Sequence, residues 1–275
     1  MIFINNLEAK LTSLGVSSEH IQFLKQELLE PNVYDNYYDL TNDDESIELV
    51  PTKNIASLGL RGVSNQTWWD HAIYKVGTLE KYRMDRFERK NNFSDLGTIY
   101  QIFSNDEFAD RKEAVELKYY PKDNKYFVIN GNHRVTWAKL LNVPAIKAKV
   151  LRHSLNQSKF SNYFLYVEAK ELLIQVIKSI NMRYVYENNY IDVYFKDIFV
   201  VGRSCPQIND FSNEEVVNMV VETFRQIIDY LRKIERDIKF YQIFSEKLRK
   251  PIMSIVRLNT KKESHLNLIK RLMEE

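Results

Sequence analysis

The chain has 275 residues, a formal net charge of +2 and 13% aromatic residues, with only 7 Gly and 6 Pro. This length allows one large or two modest domains with buried cores, and the composition excludes a disordered chain and a turn-rich all-β fold. We therefore expect an α/β (α+β) protein that is rich in helices.

A single cysteine, Cys205, rules out a disulfide within the chain and indicates a reducing, cytoplasmic setting. We expect Cys205 to be a small apolar residue rather than a reactive thiol. The N-terminal stretch lacks the basic region and the long apolar region of a signal peptide, and no run approaches the roughly 18 apolar residues of a membrane span. We therefore expect no membrane partner.

Residues 1–45 predict a helical hairpin followed by an acidic connector. Apolar side chains recur at helical spacing over 3–15 and 18–30, which predicts two helices. The connector, residues 30–49, is rich in Asp, Glu, Tyr and Asn and has no apolar period, so we expect a surface loop. An extended pattern over 46–55 then predicts a strand.

A loop with two glycines and an arginine follows this strand. Its Arg61 and Gly62 are suited to approach a phosphate, although Gly-Leu-Arg-Gly alone is a weak signal. Two helices are predicted next, a charged one over 77–89 and an amphipathic one over 95–108. We expect their carboxylates, such as Asp85, to be surface groups rather than acid–base catalysts.

The middle of the chain holds the most informative pattern. It predicts, in order, a strand at 115–120, a strand at 126–129, a turn at Asn130-Gly131, a helix at 132–141 and a strand at 145–151. The first two strands form a predicted hairpin. The turn leads directly into the helix start with His133 and Arg134, and backbone N–H groups at such a start favour an anion.

Residues 153–275 predict helices with a β-hairpin. The pattern gives a helix over 160–180, two strands about an Asn188-Asn189 turn, a helix over 213–244 capped by Ser212, and a short helix over 264–273. From Arg225 onward there are 13 Lys or Arg against 7 Asp or Glu. This basic surface is either a solvated face or a contact for nucleic acid or an acidic protein partner.

The order of these features resembles the ParB/sulfiredoxin-like superfamily (ParB N-terminal-like domain). Its members carry a strand, a Gly-x-x-Arg turn, a helix and a closing strand preceded by proline. The resemblance covers about residues 46–152, is best over 115–151, and is most specific at Gly131-Asn132-His133-Arg134. It implies a mixed-sheet core at 46–152 with helical extensions at 1–45 and 153–275.

The resemblance implies that the phosphates of an ATP- or CTP-type nucleotide, with Mg²⁺, lie on the backbone N–H groups of Gly131, Asn132, His133 and Arg134. Asn132 stands where sulfiredoxins carry a cysteine, so sulfinic acid reduction is not expected. The serine kinases of the superfamily use a carboxylate shortly after the first strand, whereas this chain has none there before Asp70. Asp70 and His133 are therefore only weak catalytic candidates.

The leading hypothesis is a protein that binds a nucleotide or another phosphate-bearing ligand, with phosphoryl transfer or hydrolysis as a conceivable activity. The alternative is a nucleic-acid-binding regulatory protein that uses the basic C-terminal helices. A ParB-like nuclease would need clustered acidic metal ligands, which the sequence does not reveal. The remaining histidines show no metal-ligand spacing and are expected to be structural or exposed: His20, His71, His153 and His265.

Overall fold

The computed structural model describes residues 2–91, 93, 95–105, 114–243 and 263–274. The chain divides into two compact units, Met1–Asn156 (unit 1) and Gln157–Glu275 (unit 2). Both units combine helices and strands, which confirms the expected α+β class. The predicted N-terminal region and the predicted core lie together in unit 1.

Unit 1 is built on a five-stranded mixed sheet with the strand order β1-β5-β3-β4-β2. The strands are β1 (Tyr38–Pro51), β2 (Ile55–Ser57), β3 (Glu116–Tyr120), β4 (Lys125–Asn130) and β5 (Ala145–Leu155). The pairs β1–β5 and β3–β4 are antiparallel, whereas β3–β5 and β2–β4 are parallel. The predicted hairpin of β3 and β4 and the closing strand β5 are thus confirmed.

The acidic connector over 30–49, expected to be a loop, is largely the edge strand β1, so this prediction was wrong. Tyr38 pairs with Leu155, and both Tyr38 and Val50 are buried. The register of the β1–β5 pairing shifts between Leu40 and Glu45. The acidic residues in the middle of β1 therefore lie where the pairing is irregular. Buried residues near the two ends hold β1 in the sheet, and they leave no regular apolar alternation for the sequence pattern to reveal.

In the described part of unit 1, six α-helices accompany this sheet. They are α1 (Ile2–Ser13), α2 (Ser18–Leu24), α3 (Trp68–Ala72), α4 (Lys81–Asn91), α5 (Leu96–Ser104) and α6 (Asn132–Leu140). The helix predicted over 18–30 ends early because the following backbone pairs elsewhere: Leu29 N–H donates to the Gln66 carbonyl at 2.9 Å. Residues 106–108 of the helix predicted over 95–108 lie outside the described residues.

The parallel pairing of β2 with β4 determines where the turns after these strands lie. The carboxyl ends of parallel strands meet at the same edge of a sheet. The short helical turn Gly59–Arg61 follows β2, and Gly131 follows β4. Both glycines have positive φ, +57° for Gly59 and +89° for Gly131, which places two left-handed turns side by side.

Unit 2 combines a three-stranded antiparallel sheet with long helices that share its core. Its elements are α7 (Gln157–Ser179), β6 (Arg183–Glu187), β7 (Tyr190–Phe195), β8 (Ile198–Ser204), α8 (Glu214–Gln242) and a last helix, Glu263–Glu274. Asn188 and Asn189 have φ of +52° and +61° and form the predicted hairpin turn. The strand β8 was not predicted. The N-cap of α8 is Asn213, which accepts the Val216 N–H at 3.2 Å, rather than Ser212.

Cys205 is buried in unit 2, and burial raises the pKa of its thiol above the ordinary value. A buried, protonated thiol agrees with the expected apolar role. None of the described helices combines the length and the apolar character that a membrane crossing requires.

Gly59→Ala tests the packing of the two turns. A Cβ at Gly59 would lie 1.9 Å from the Val128 carbonyl oxygen, whereas a Cβ at Gly77, also at positive φ (+74°), would meet no atom within 4 Å. We expect Gly77→Ala to lower the free energy of unfolding by about 1 kcal/mol, from backbone strain alone. Gly59→Ala should cost at least about 2 kcal/mol more, because backbone atoms must move. Urea denaturation measures both, and equal losses would contradict the described contact.

Candidate anion-binding site

The turn that ends β4 requires glycine at position 131. Gly131 adopts φ +89°, and a Cβ there would lie 2.9 Å from Cγ2 of Val115. Its N–H donates to Oδ1 of Asn130 at 2.8 Å, which fixes the turn before the helix begins. The turn at Gly131 therefore connects the end of β4 directly to the start of α6, as the sequence predicted.

The N-terminus of α6 is uncapped. Gly131 occupies the N-cap position and has no side chain to accept a hydrogen bond. The carbonyl of Gly131 accepts the N–H groups of Arg134 and Val135, at 2.9 and 3.0 Å. The N–H groups of Asn132 and His133 have no acceptor among the described residues, so they and the helix dipole are available to an anion.

The side chain of Asn132 adds a second polar group without a partner. Asn132 is only 9% exposed, and its Oδ1 is buried and forms no hydrogen bond within the described part of the chain. A buried acceptor without a donor costs stability unless something else satisfies it. This cost at the first residue of α6 fits a position that is used for binding rather than for packing.

A cavity of about 490 Å³ opens in front of this turn, and its lining is strongly cationic. Five of its lining residues are Arg or Lys, and none of the described lining residues is Asp or Glu. The cationic residues are Arg61, Arg83, Arg86, Lys90 and Arg134. The aromatic residues Tyr82 and Phe87 complete one wall. The positive potential of this cavity therefore favours an anionic ligand.

Helix α4 supplies most of the positive charge. Arg83, Arg86 and Lys90 are spaced by three and four residues, so they share one face of the helix. The opposite side is anchored, because Met84 is buried and its carbonyl accepts the Nε1–H of Trp137 in α6 at 3.1 Å. The sequence predicted this helix but not its role; the spacing of the three cations was the signal that could have revealed it.

Glu80 joins the two glycine turns, although it was not a predicted site residue. Arg61 donates from Nη1 to Glu80 Oε2 at 2.5 Å and to the Thr78 carbonyl at 3.0 Å. The same Glu80 oxygen lies 2.8 Å from Nε2 of His133. The hydrogen bond from Arg61 holds the pKa of the Glu80 carboxyl below its ordinary value. Glu80 is thus ionised, and its carboxylate orients both Arg61 and His133.

Nε2 of His133 can interact with two different groups of Glu80, and its protonation state decides which. Neutral His133 accepts the Glu80 N–H on Nε2 at 3.1 Å, whereas protonated His133 would donate from Nε2 to the Glu80 carboxylate. Burial lowers the pKa of His133; Glu80 opposes this shift, while Arg61 and Arg83 reinforce it. We therefore assign the neutral form to the free protein near pH 7.

The other predicted candidates lie outside the cavity. A Cβ at Gly62 would lie 2.5 Å from Ser57 Oγ, so this glycine serves close packing. Asp70 forms a capping box with Thr67 at the start of α3 and an ion pair with Lys75 at 2.9 Å. Burial would raise the pKa of Asp70, but the hydrogen bonds from Lys75 and Thr67 outweigh it and hold the pKa low. Asp70 is a structural residue here.

The donor set does not fit a Mg²⁺ ion held by the protein. Magnesium prefers carboxylate and other oxygen ligands, and the described residues that line the cavity include no carboxylate. Among the described residues no three His, Cys, Asp or Glu side chains gather as a metal site. The cavity is therefore suited to an anion rather than to a metal ion held by protein ligands.

Comparison with known proteins leaves the site to be interpreted from its own chemistry. No protein-family model matches the chain, and no curated protein or solved structure matches it. The resemblance to the ParB/sulfiredoxin-like superfamily therefore remains a prediction.

Anion binding should place a proton on His133. A bound anion offsets the repulsion from Arg61 and Arg83 and raises the pKa of His133, so proton uptake accompanies binding between the free and bound pKa values. Sulfate affinity should consequently rise as the pH falls through the ordinary pKa of histidine, about 6.5, a range in which sulfate itself does not titrate. Calorimetry in buffers of different ionisation enthalpy measures the uptake.

His133→Gln is the control for this prediction. The variant should still bind sulfate, through the helix N-terminus and the arginines, but without proton uptake. An uptake of the same size in wild type and His133→Gln would contradict the assignment.

Proposed function

We propose that this protein binds a nucleotide or another phosphate-bearing ligand at the N-terminus of α6. The observation that carries the proposal is the cationic cavity around an uncapped helix start. Helix N-termini and clustered guanidinium groups are two recurrent ways to hold phosphate, and here both face the same cavity. Its volume of about 490 Å³ lies within the range common for small-molecule sites.

The aromatic residues of the wall favour a ligand with a ring. Tyr82 is 60% exposed and Phe87 is partly buried, and both line the cavity beside Arg83. Bases stack on such rings, at about 1–3 kcal/mol per base. A nucleotide of the ATP or CTP type, the cofactor that the resemblance implies, would use the ring wall and the phosphate-binding groups together.

We propose binding rather than a specific reaction. The five cations and the helix start supply positioning and charge stabilisation, which are the main needs of phosphoryl transfer or hydrolysis. The described lining offers no carboxylate as a base, and Glu80 is held by Arg61 and His133. His133 is the described lining residue whose ordinary pKa is nearest neutrality, so it remains the candidate proton acceptor.

A matched pair of substitutions in α4 tests the site. Arg86 lines the cavity, whereas Arg89 does not, and its Nε–H donates to the Asp85 carbonyl at 3.2 Å. We expect Arg86→Met to weaken binding of pyrophosphate, ATP or CTP about tenfold, the size of one charge-assisted hydrogen bond. Arg89→Met should bind like wild type. Calorimetric titration measures all three proteins.

The proposal fails if Arg86→Met and Arg134→Ala both bind these ligands as tightly as wild type. It also fails if wild type binds none of them at millimolar concentration.

Binding of single-stranded nucleic acid is the second candidate, and the surface of α4 favours it. The exposed Tyr82 ring lies 5.7 Å from the Arg83 guanidinium, an arrangement that suits a stacked base beside a phosphate. In α8, two of the basic side chains already form ion pairs: Lys239 with Glu235 at 2.6 Å and Arg225 with Glu222 at 4.0 Å. Residues 244–262, part of the predicted basic tail, lie outside the described residues.

Salt dependence distinguishes this candidate. If an oligonucleotide occupies the cavity and meets all five cations, log K should fall with log salt with a slope of about −3.5. ATP should also displace the oligonucleotide, because both would share the site. Fluorescence anisotropy with a labelled short oligonucleotide measures both effects, and no binding at about 50 mM salt would reject the candidate.

A further inference from the structure

Unit 2 contains a cavity of its own, with a volume of about 280 Å³. Helices α7 and α8, strands β6 and β7, and the segment 206–209 form its walls. All of its lining residues belong to Gln157–Glu275, so it is separate from the cationic cavity of unit 1. It therefore needs an explanation of its own.

Hydrogen bonds hold the wall of this cavity in place. The Cys205 N–H donates to the Asn189 carbonyl at 2.7 Å, and the Tyr186 hydroxyl donates to the Cys205 carbonyl at 2.7 Å. The Gln207 N–H points to Oδ1 of Asn189 at 3.4 Å. The segment after β8 is thus fixed to the β6–β7 turn, and the cavity is formed without a ligand. A preformed site avoids the entropic cost of ordering its walls on binding.

Aromatic and aliphatic side chains dominate the lining. Four aromatic residues come from three separate elements, and three buried aliphatic residues lie among them. The aromatic residues are Tyr166, Tyr184, Tyr186 and Phe224, and the aliphatic ones are Leu173, Ile191 and Val220. Such a lining suits a flat apolar group, and aromatic rings add edge-to-face or offset-stacked contacts.

Lys170 is the only charged residue among those described as lining this cavity. Its Nζ lies 5.5 Å from the centroid of the Tyr166 ring, one helical turn away on α7. It forms no ion pair within the described part of the chain, and the described lining contains no Asp or Glu. Lys170 is exposed, so its ammonium group lies at the solvent-facing edge of the cavity, where it favours a ligand with one negative charge.

We propose that this cavity binds a small aromatic monocarboxylate, with the ring among the tyrosines and the carboxylate on Lys170. A positively charged ligand would be repelled by Lys170. A phosphate dianion would lose too much hydration for a single cation to replace, because the rest of the lining is mostly apolar. A carboxylate matches the single charge, and a ring matches the walls.

Two ligands and two lysine variants of the full chain test the proposal. Indole-3-acetate is the probe, and indole-3-acetamide is its neutral counterpart of nearly equal shape. Lys170→Met removes the charge at the cavity, and Lys178→Met removes an exposed charge from the last turn of the same helix, outside the cavity. Ligand-observed NMR or calorimetry measures the affinities.

Wild type and Lys178→Met should bind the carboxylate about threefold more tightly than the amide, the size of an exposed ion pair, and Lys170→Met should lose this preference. Equal affinity of wild type for both ligands would overturn the proposal. So would an unchanged preference in Lys170→Met, or no binding of the carboxylate at millimolar concentration.

Tyr184→Ser tests the ring contacts separately. Tyr184 is 39% exposed, so the variant is expected to fold, and an unchanged melting temperature would verify this. The variant should bind both ligands several-fold more weakly while keeping the preference for the carboxylate. A folded Tyr184→Ser protein with wild-type affinity for both ligands would show that the ring does not lie among the tyrosines.

Discussion

The parallel pairing of β2 with β4 is the constraint on which the site in unit 1 depends. It brings the turns at Gly59 and Gly131 to one edge of the sheet, and both turns use left-handed backbone that favours glycine. Neither turn has room for a Cβ, because Val128 and Val115 pack against them. The backbone geometry alone therefore places the start of α6 close to Arg61, without any contribution from side-chain contacts.

Side chains then organise charge around this frame. Glu80 bridges Arg61 and His133, and Trp137 fixes α4 through the Met84 carbonyl. Several cations close together repel one another, and the ion pair of Glu80 with Arg61 offsets only part of this repulsion. A bound anion would reduce this repulsion. The cations that lower the stability of the free protein would therefore stabilise the complex.

The sequence predicted the turn but not the whole cavity. Gly131 to Arg134 could be found because a glycine turn and a helix start are local signals. Arg61 was identified for the same reason. Gly62 is a glycine because Ser57 packs closely against it, and the sequence alone does not reveal this contact. The role of the cations of α4 was missed because periodicity tells which residues share a helix face, not what that face meets. Glu80 was missed because its partner His133 is 53 residues away.

We propose that the N–H groups at the start of α6 hold the anion. The most direct measurement is a ¹H–¹⁵N NMR titration of the full chain with pyrophosphate. We expect the largest amide shifts at Asn132 and His133, accompanied by shifts of the arginine Nε–H signals of the cavity. Amide shifts confined to the outer face of α4 around Arg89, with Asn132 and His133 unchanged, would contradict this proposal.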